Sequence, residues 1–344
     1  MYGSPKCLSL GMRMRTLSSE LRQYLQHLSL HGVDLSFATA MVLSGAAFRH
    51  YFFTPNYNHA WLVEYPDDLW REDSLTVENY GVYEAIEGHT GWTSRRWHQL
   101  KGVELVQLLR YEQTEGRHLR HESTDAHPAG LITGFDVDRT GLTLHIQQGE
   151  SRIQWRSALN ELDAFCAQLP ALQSLRPVQG DIPATRRTAL TLDVFRWAGR
   201  HWEARKEIAY DVQAFYAAGH QAWLELRAFY DTIPSLATDR QEAARTYVRA
   251  HLNELATARA AAAAFFSDHD ALSALLASPT LSKRSTEELR DAWQRIADRL
   301  QTASDNATTD LGGLLAEAQQ LDTDAFERLN AWTAQLHRVT TTAN

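Results

Sequence analysis

Residues 16–53 read TLSSELRQYLQHLSLHGVDLSFATAMVLSGAAFRHYFF, and they set a capped helix, a turn and a loop of small residues in one continuous run. Leu21, Tyr24, Leu25 and Leu28 recur at the spacing of one buried helical face, and Thr16, Ser18 and Ser19 are residues suited to capping its start. His31 and Gly32 end that helix. A second helical piece over 34–43 delivers Ser44, Gly45, Ala46, Ala47, Phe48 and Arg49, where side chains too small to fill space sit beside a large aromatic and a cation. Backbone can be approached closely there, so the run reads as the floor of a pocket.

Outward from that floor, residues 1–15 lack periodicity and read as an extended lead containing Cys7. Residues 51–70 are dense in aromatics with Pro55, Asn56, Asn58 and His59, which predicts loops and short strands roofing the pocket. The spacing predicts a helix over 77–87 broken by Gly88, a strand over 92–97, and either a helix or a strand over 103–111. The clearest β signal is a hairpin, with strands at 131–135 and 142–146 joined by the turn chemistry of 136–141. A further strand fits 152–155, and a helix fits 157–169, ended by Pro170. Periodicity lapses over 174–183, which reads as a linker. Beyond it helical spacing runs over 185–199, 202–231, 239–266, 285–303 and 310–337, with Ser285-Thr286-Glu287-Glu288 as a capping box. The expected architecture is α+β over residues 1–178 followed by an all-helical bundle over 179–344.

The length of 344 residues suits two domains of roughly 150 to 180 residues. A formal charge of −8 without a basic block argues against a nucleic-acid partner, which would want a clustered Lys/Arg face. Cys7 and Cys166 stand far apart and form no disulfide framework, a usage that suits a reducing cytoplasm. No apolar run approaches the ~18 residues of a membrane span. The expectation is a cytoplasmic protein with no membrane partner and no cofactor, since no Gly-rich phosphate loop, GxSxG elbow or dinucleotide fingerprint is present.

Three phrases, Ser18-Ser19-Glu20-Leu21-Arg22, His31-Gly32-Val33-Asp34-Leu35 and Ser44-Gly45-Ala46-Ala47-Phe48-Arg49, resemble the N-terminal domain of the butirosin biosynthesis protein H family. That family is related to the papain-like bacteriocin-processing cysteine peptidases. Residues 216–223 and 258–266 are similar to the C-terminal helical portion of its full-length members. The resemblance implies a papain-like first domain and acyl or amide transfer, or hydrolysis, on a small molecule in natural-product biosynthesis, with the acyl group carried on an acyl carrier protein. It places the family's nucleophilic Cys at Thr16, its general-base histidine at His127 and its orienting position near Gln147 or His145. With Thr in place of Cys, a second expectation stands beside the acyltransferase: a non-catalytic small-molecule-binding or scaffold relative.

Each candidate residue has an ordinary reading as well. Thr16 and Ser18 sit where a helix dipole could activate a hydroxyl, and where hydroxyls usually serve as N-caps. His127 is a general base only if it reaches a nucleophile, and otherwise a surface-loop histidine; Gln147 would orient it less strongly than a carboxylate. His118 and His121 with Glu122 or His127 contain metal-ligand chemistry, but match no strict motif in a chain of fifteen histidines. Arg49 could clamp an anionic ligand bidentately beside Ser44 and Gly45, with Tyr51 and His59 among the walls, or pair with an internal carboxylate. A homo-oligomer stays open.

Overall fold

The computed structural model describes residues 17–52, 84–97, 100–121, 130–148, 150–169, 171–178, 182–203, 206–209, 214–276, 282–305 and 311–342. Its first helix, α1 (Leu17–Ser29), withdraws Leu21, Tyr24, His27 and Leu28 fully from solvent. Leu25, expected on that face, is only half-buried, and His27 takes an inner position. Gly32 turns the chain at φ 74°, a left-handed conformation that only glycine enters without steric cost. Ser36 then caps α2 (Phe37–Leu43), its hydroxyl accepting the Thr39 N–H at 3.1 Å, so α2 starts later than its apolar spacing suggests. Two further short elements follow, β1 (Tyr51–Phe52) and α3 (Glu84–Thr90). Gly88 lies inside α3 instead of ending it, and a Cβ there would collide with the Leu190 side chain.

The chain divides into two units. One comprises Met1–Leu21, Ser36–His89 and Ile182–Asn344; the other comprises Arg22–Leu35 and Thr90–Asp181. This differs from the expected boundary at 178, because α2 and the loop after it group with the C-terminal helices. The cause is pairing across the sequence: β1 joins strands formed by residues 206–218, as described below.

The second unit is α+β. Along the chain it carries β2 (Trp92–Trp97), α4 (Gly102–Thr114), β3 (Leu119–His121), β4 (Gly130–Val137), β5 (Gly141–Gln148), β6 (Ser151–Ala158), α5 (Leu162–Gln168) and β7 (Leu172–Pro177). The strands form one antiparallel sheet in the order β2-β7-β3-β4-β5-β6. The predicted hairpin is β4–β5, and Asp138 closes its turn by accepting the N–H groups of Thr140 at 2.7 Å and Gly141 at 3.1 Å. Leu105, Leu109, Leu119, Ile132, Leu144, Ile146 and Leu172 build the core between sheet and helices. The helix expected from 157 begins at Leu162, because β6 runs on to Ala158. The expected linker is also corrected at its start, where β7 is an inner strand between β2 and β3 with Gln173, Ser174 and Leu175 fully buried.

The first unit continues with α6 (Ala184–Glu203), β8 (Lys206–Ala209), β9 (Ala214–Ala218), α7 (Gly219–Thr232), α8 (Thr238–Ser267), α9 (His269–Leu275), α10 (Lys283–Asp305) and α11 (Leu311–Thr342). The single helix expected over 202–231 is therefore overturned. Its first half is a hairpin whose outer partner is β1, giving a sheet in the order β1-β9-β8. Gly219 makes the transition into α7 at φ 53°, its Cα so close to the carbonyls of His201 and Trp202 that a Cβ would strike both. Helix α10 starts before the expected capping box, and Ser282 does the capping by accepting the Ser285 N–H at 3.3 Å. Among the described residues no helix is long and apolar enough to cross a membrane.

Candidate functional site

At the start of α1 the Glu254 carboxylate, carried on α8, takes both polar groups of Ser18. Oε1 accepts the Ser18 N–H at 2.9 Å and Oε2 accepts its hydroxyl at 2.8 Å. A helix N-terminus presents unpaired N–H groups and a positive field, so it favours an anion. Here the anion is internal. Ser18 is buried at 8 % exposure with its hydroxyl proton already directed at a carboxylate. Thr16, His127 and His59 lie outside the described residues. Gln147 stands half-buried on β5, paired in register with Leu131 and Arg152, and belongs to the second unit.

The small-residue loop is brought together much as its sequence suggests, but the space beside it is filled. Gly45 takes φ 71° ahead of a 3₁₀ turn over Ala46–Phe48, and a Cβ on it would lie 2.8 Å from Cζ3 of Trp197. The indole of α6 thus occupies the room that the missing side chains leave, and the expected open floor is core. Ser44 is fully buried and donates its hydroxyl to the Met41 carbonyl at 3.1 Å. Arg49 is 3 % exposed, with Nη2 donating to the Ser44 carbonyl at 3.4 Å and its guanidinium 5.1 Å from the Trp197 ring. Tyr51 is buried too, its ring edge-on to His201 at 4.7 Å.

What fixes this loop is a residue the sequence reading did not single out. Arg259 of α8 is fully buried and forks onto Asp322 of α11, Nε to Oδ1 at 2.8 Å and Nη2 to Oδ2 at 2.9 Å. Its Nη1 donates to the carbonyls of Ala47 at 2.7 Å and Arg49 at 3.3 Å, while Trp223 Nε1 donates to Asp322 at 3.0 Å. A buried charge is tolerated when it is paired and hydrogen-bonded, and here almost every donor is used. The signal in the sequence was available, since an arginine interrupts the alanine-rich run 256–264. A charged side chain that such an apolar run carries into the core needs a buried partner.

Next to this clamp lie three imidazoles. The His50 N–H donates to His201 Nε2 at 3.1 Å, and His50 Nε2 stands 3.2 Å from His251 Nε2, so one of that pair carries the shared proton. Burial, with His251 and Arg259 nearby, holds the His50 pKa well below the ordinary histidine value. Burial and then Arg259 lower His251 to about 3. Both rings are therefore neutral at physiological pH, and His251 is too weak a base for proton abstraction there. The cluster is a rigid polar core that holds backbone.

In the second unit His121 is fully buried with its ring 4.6 Å from Trp155, and His118 is half-buried. Glu122 and His127, the other members of the metal reading, lie outside the described residues, among which no three His, Cys, Asp or Glu side chains converge on a metal position. Cys166 is a buried free thiol whose pKa burial pushes up, which disfavours the reactive thiolate. Cys7 lies outside the described residues. Neither a family model nor a curated protein matches the chain.

Proposed function

We propose that this protein is a non-catalytic small-molecule-binding or scaffold relative of the butirosin biosynthesis protein H family, built on a papain-like first domain and working in the cytoplasm. The observation that carries this reading is the Glu254 carboxylate on Ser18. In the resembled family the start of the first helix is where a nucleophile is activated and negative charge develops. A resident carboxylate neutralises the helix-end field and would repel a second anion. The hydroxyl proton of Ser18 points at a group that is a weak base toward an alcohol.

The second reading, acyl or amide transfer or hydrolysis with carrier-borne substrate, rests on the family resemblance and on a hydroxyl standing at a helix start, the place of an activated nucleophile. One experiment separates the two. The protein is incubated with an activated acyl ester and analysed by intact mass and peptide mapping, with Ser18→Ala and Thr16→Ala beside the wild type. The binding reading expects no acyl adduct on the first turn of α1. A stoichiometric adduct on Thr16 or Ser18, lost in the matching variant while the fold persists by circular dichroism, would overturn it.

A further inference from the structure

The sheet of the second unit has an open edge that the reading above does not use. Strand β6 comes last in the order β2-β7-β3-β4-β5-β6 and pairs with β5 in unbroken register, from Gly141 opposite Ala158 to Gln148 opposite Ser151. No other strand of the described residues lies on its outer side, so alternate peptide groups along its eight residues face away from the sheet. Folded proteins usually blunt such an edge by shortening it, bending it with a bulge, or setting proline or charge on it. Strand β6 has neither bulge nor proline, and its sequence, Ser-Arg-Ile-Gln-Trp-Arg-Ser-Ala, carries charge of one sign only.

The two faces of that strand differ. Arg152, Gln154 and Arg156 are exposed on one face, and Ile153 and Trp155 alternate with them, half-buried against the core. Neither arginine forms an ion pair among the described residues; Arg156 Nη2 donates to the Gln154 amide oxygen at 3.0 Å. The carboxylates of the same face are engaged elsewhere. Asp136 accepts from His145 Nε2 at 2.7 Å, and Asp138 Oδ1 accepts from the Thr140 hydroxyl and from the N–H groups of Thr140 and Gly141. Those bonds, the Thr140 hydroxyl first, hold the Asp138 carboxyl below its ordinary range, with Arg156 adding least. Glu150, exposed in the turn before β6, makes no ion pair with Arg152. An incoming strand therefore meets two cations without a counter-charge on one face and an apolar shelf on the other, in the alternation that a strand itself presents. A second copy of β6 fits poorly. Paired about Gln154 it sets Arg152 against Arg156 twice, and in any register it offers no carboxylate, since 151–158 contains no Asp or Glu.

We propose that β6 receives an extended segment of a partner protein as a further strand of the sheet, a segment in which acidic residues, set beside Arg152 and Arg156, alternate with apolar residues set beside Ile153 and Trp155. Main-chain pairing supplies the hold, and the alternating side chains supply the choice of partner. The proposal concerns the second unit alone and does not rest on the scaffold reading. It is tested on the full-length protein with a fluorescein-labelled peptide of alternating Glu and Val, as long as β6, followed by anisotropy and by hydrogen exchange of the β6 amides. The peptide should bind saturably, bind more weakly as salt is raised, and slow exchange of the outward-facing amides of 151–158. A Lys/Val peptide should not bind, and N-methylation of one alternate set of the Glu/Val peptide's amides should abolish binding, because it removes the N–H groups that face β6. Arg152→Glu combined with Arg156→Glu, both at exposed positions, should weaken the Glu/Val peptide by about tenfold or more and admit the Lys/Val peptide. Absence of saturable Glu/Val binding, equal binding of the two peptides, tolerance of N-methylation in both alternate sets, or an unchanged affinity in the double variant would each overturn the proposal. Protection of 151–158 by self-association of the protein without peptide would overturn it in favour of a second copy.

Discussion

Arg259 shows how much one residue can organise. Its charge is fully buried, and the Asp322 carboxylate opposite it supplies the counter-charge. Asp322→Asn keeps the shape but leaves the guanidinium without a counter-charge. We expect a loss of about 3 to 5 kcal/mol in urea denaturation, the scale for breaking one side of a buried pair. Ser174 makes the opposite case. It is fully buried on β7 with no hydrogen-bond partner for its hydroxyl among the described residues, so Ser174→Ala should be neutral or stabilise by up to about 1 to 3 kcal/mol, the cost of an unsatisfied buried polar group. A clear loss of stability in that variant would show that the hydroxyl has a partner. Of these side chains the sequence displayed Arg259 as an anomaly in an alanine run, and it displayed Gly45 as a place of close approach. That Trp197 would fill the space was not legible, because nothing local couples residue 45 to residue 197.

Elements were legible in proportion to how far their pattern is set by near neighbours. Helix α1, the β4–β5 hairpin and the long helices α8, α10 and α11 carry their own periodicity and turn chemistry, and they stand where that periodicity places them. Strand β7 was hidden because Gln173 and Ser174 interrupt its apolar run although both are buried, the sheet's neighbours having imposed an inner strand on a polar stretch. The β8–β9 hairpin was hidden by helix-compatible residues such as Lys206, Glu207 and Ala214, and its pairing with β1 comes from a segment more than 150 residues away in the chain. The inner face of α1 offers a direct comparison. Leu21→Ala and Leu28→Ala, both fully buried, should each cost about 2 to 5 kcal/mol, whereas half-buried Leu25→Ala should cost less than either. Equal losses at the three positions would mean that Leu25 is packed as deeply as its neighbours.

For the molecule as a whole the buried histidines contribute to the response to acid. An unfolded histidine takes a proton near its ordinary pKa of about 6.5, while His27 and His251 are lowered to about 3 and His89 to about 4, each chiefly by burial. Between those values the unfolded chain binds more protons than the folded one. The stability these rings contribute is therefore complete above about pH 6.5 and is lost as pH falls toward 3 to 4, at about 1.4 kcal/mol per pH unit for each ring. Urea titrations at pH 7, 6 and 5 should show the decline, and His251→Gln should make it shallower by roughly one such ring. A slope unchanged by His251→Gln would place that imidazole in contact with solvent.

The clamp on the small-residue loop also sets a timetable. The Ala47 carbonyl finds its donor on Arg259, 212 residues further along, so a ribosome adding roughly 5 to 20 residues per second reaches it some 10 to 40 s later. Asp322, which holds that arginine, comes later still. The second unit's sheet needs nothing synthesised after β7, and its first and last strands already meet, the Val178 N–H donating to the Gly91 carbonyl at 2.7 Å. During translation the inserted sheet can thus close while Met41, Val42, Leu43 and Phe48, all buried in the finished protein, still await their cover. A chain halted before α8 would carry that apolar run uncovered, and with it the surface that chaperones and proteases recognise.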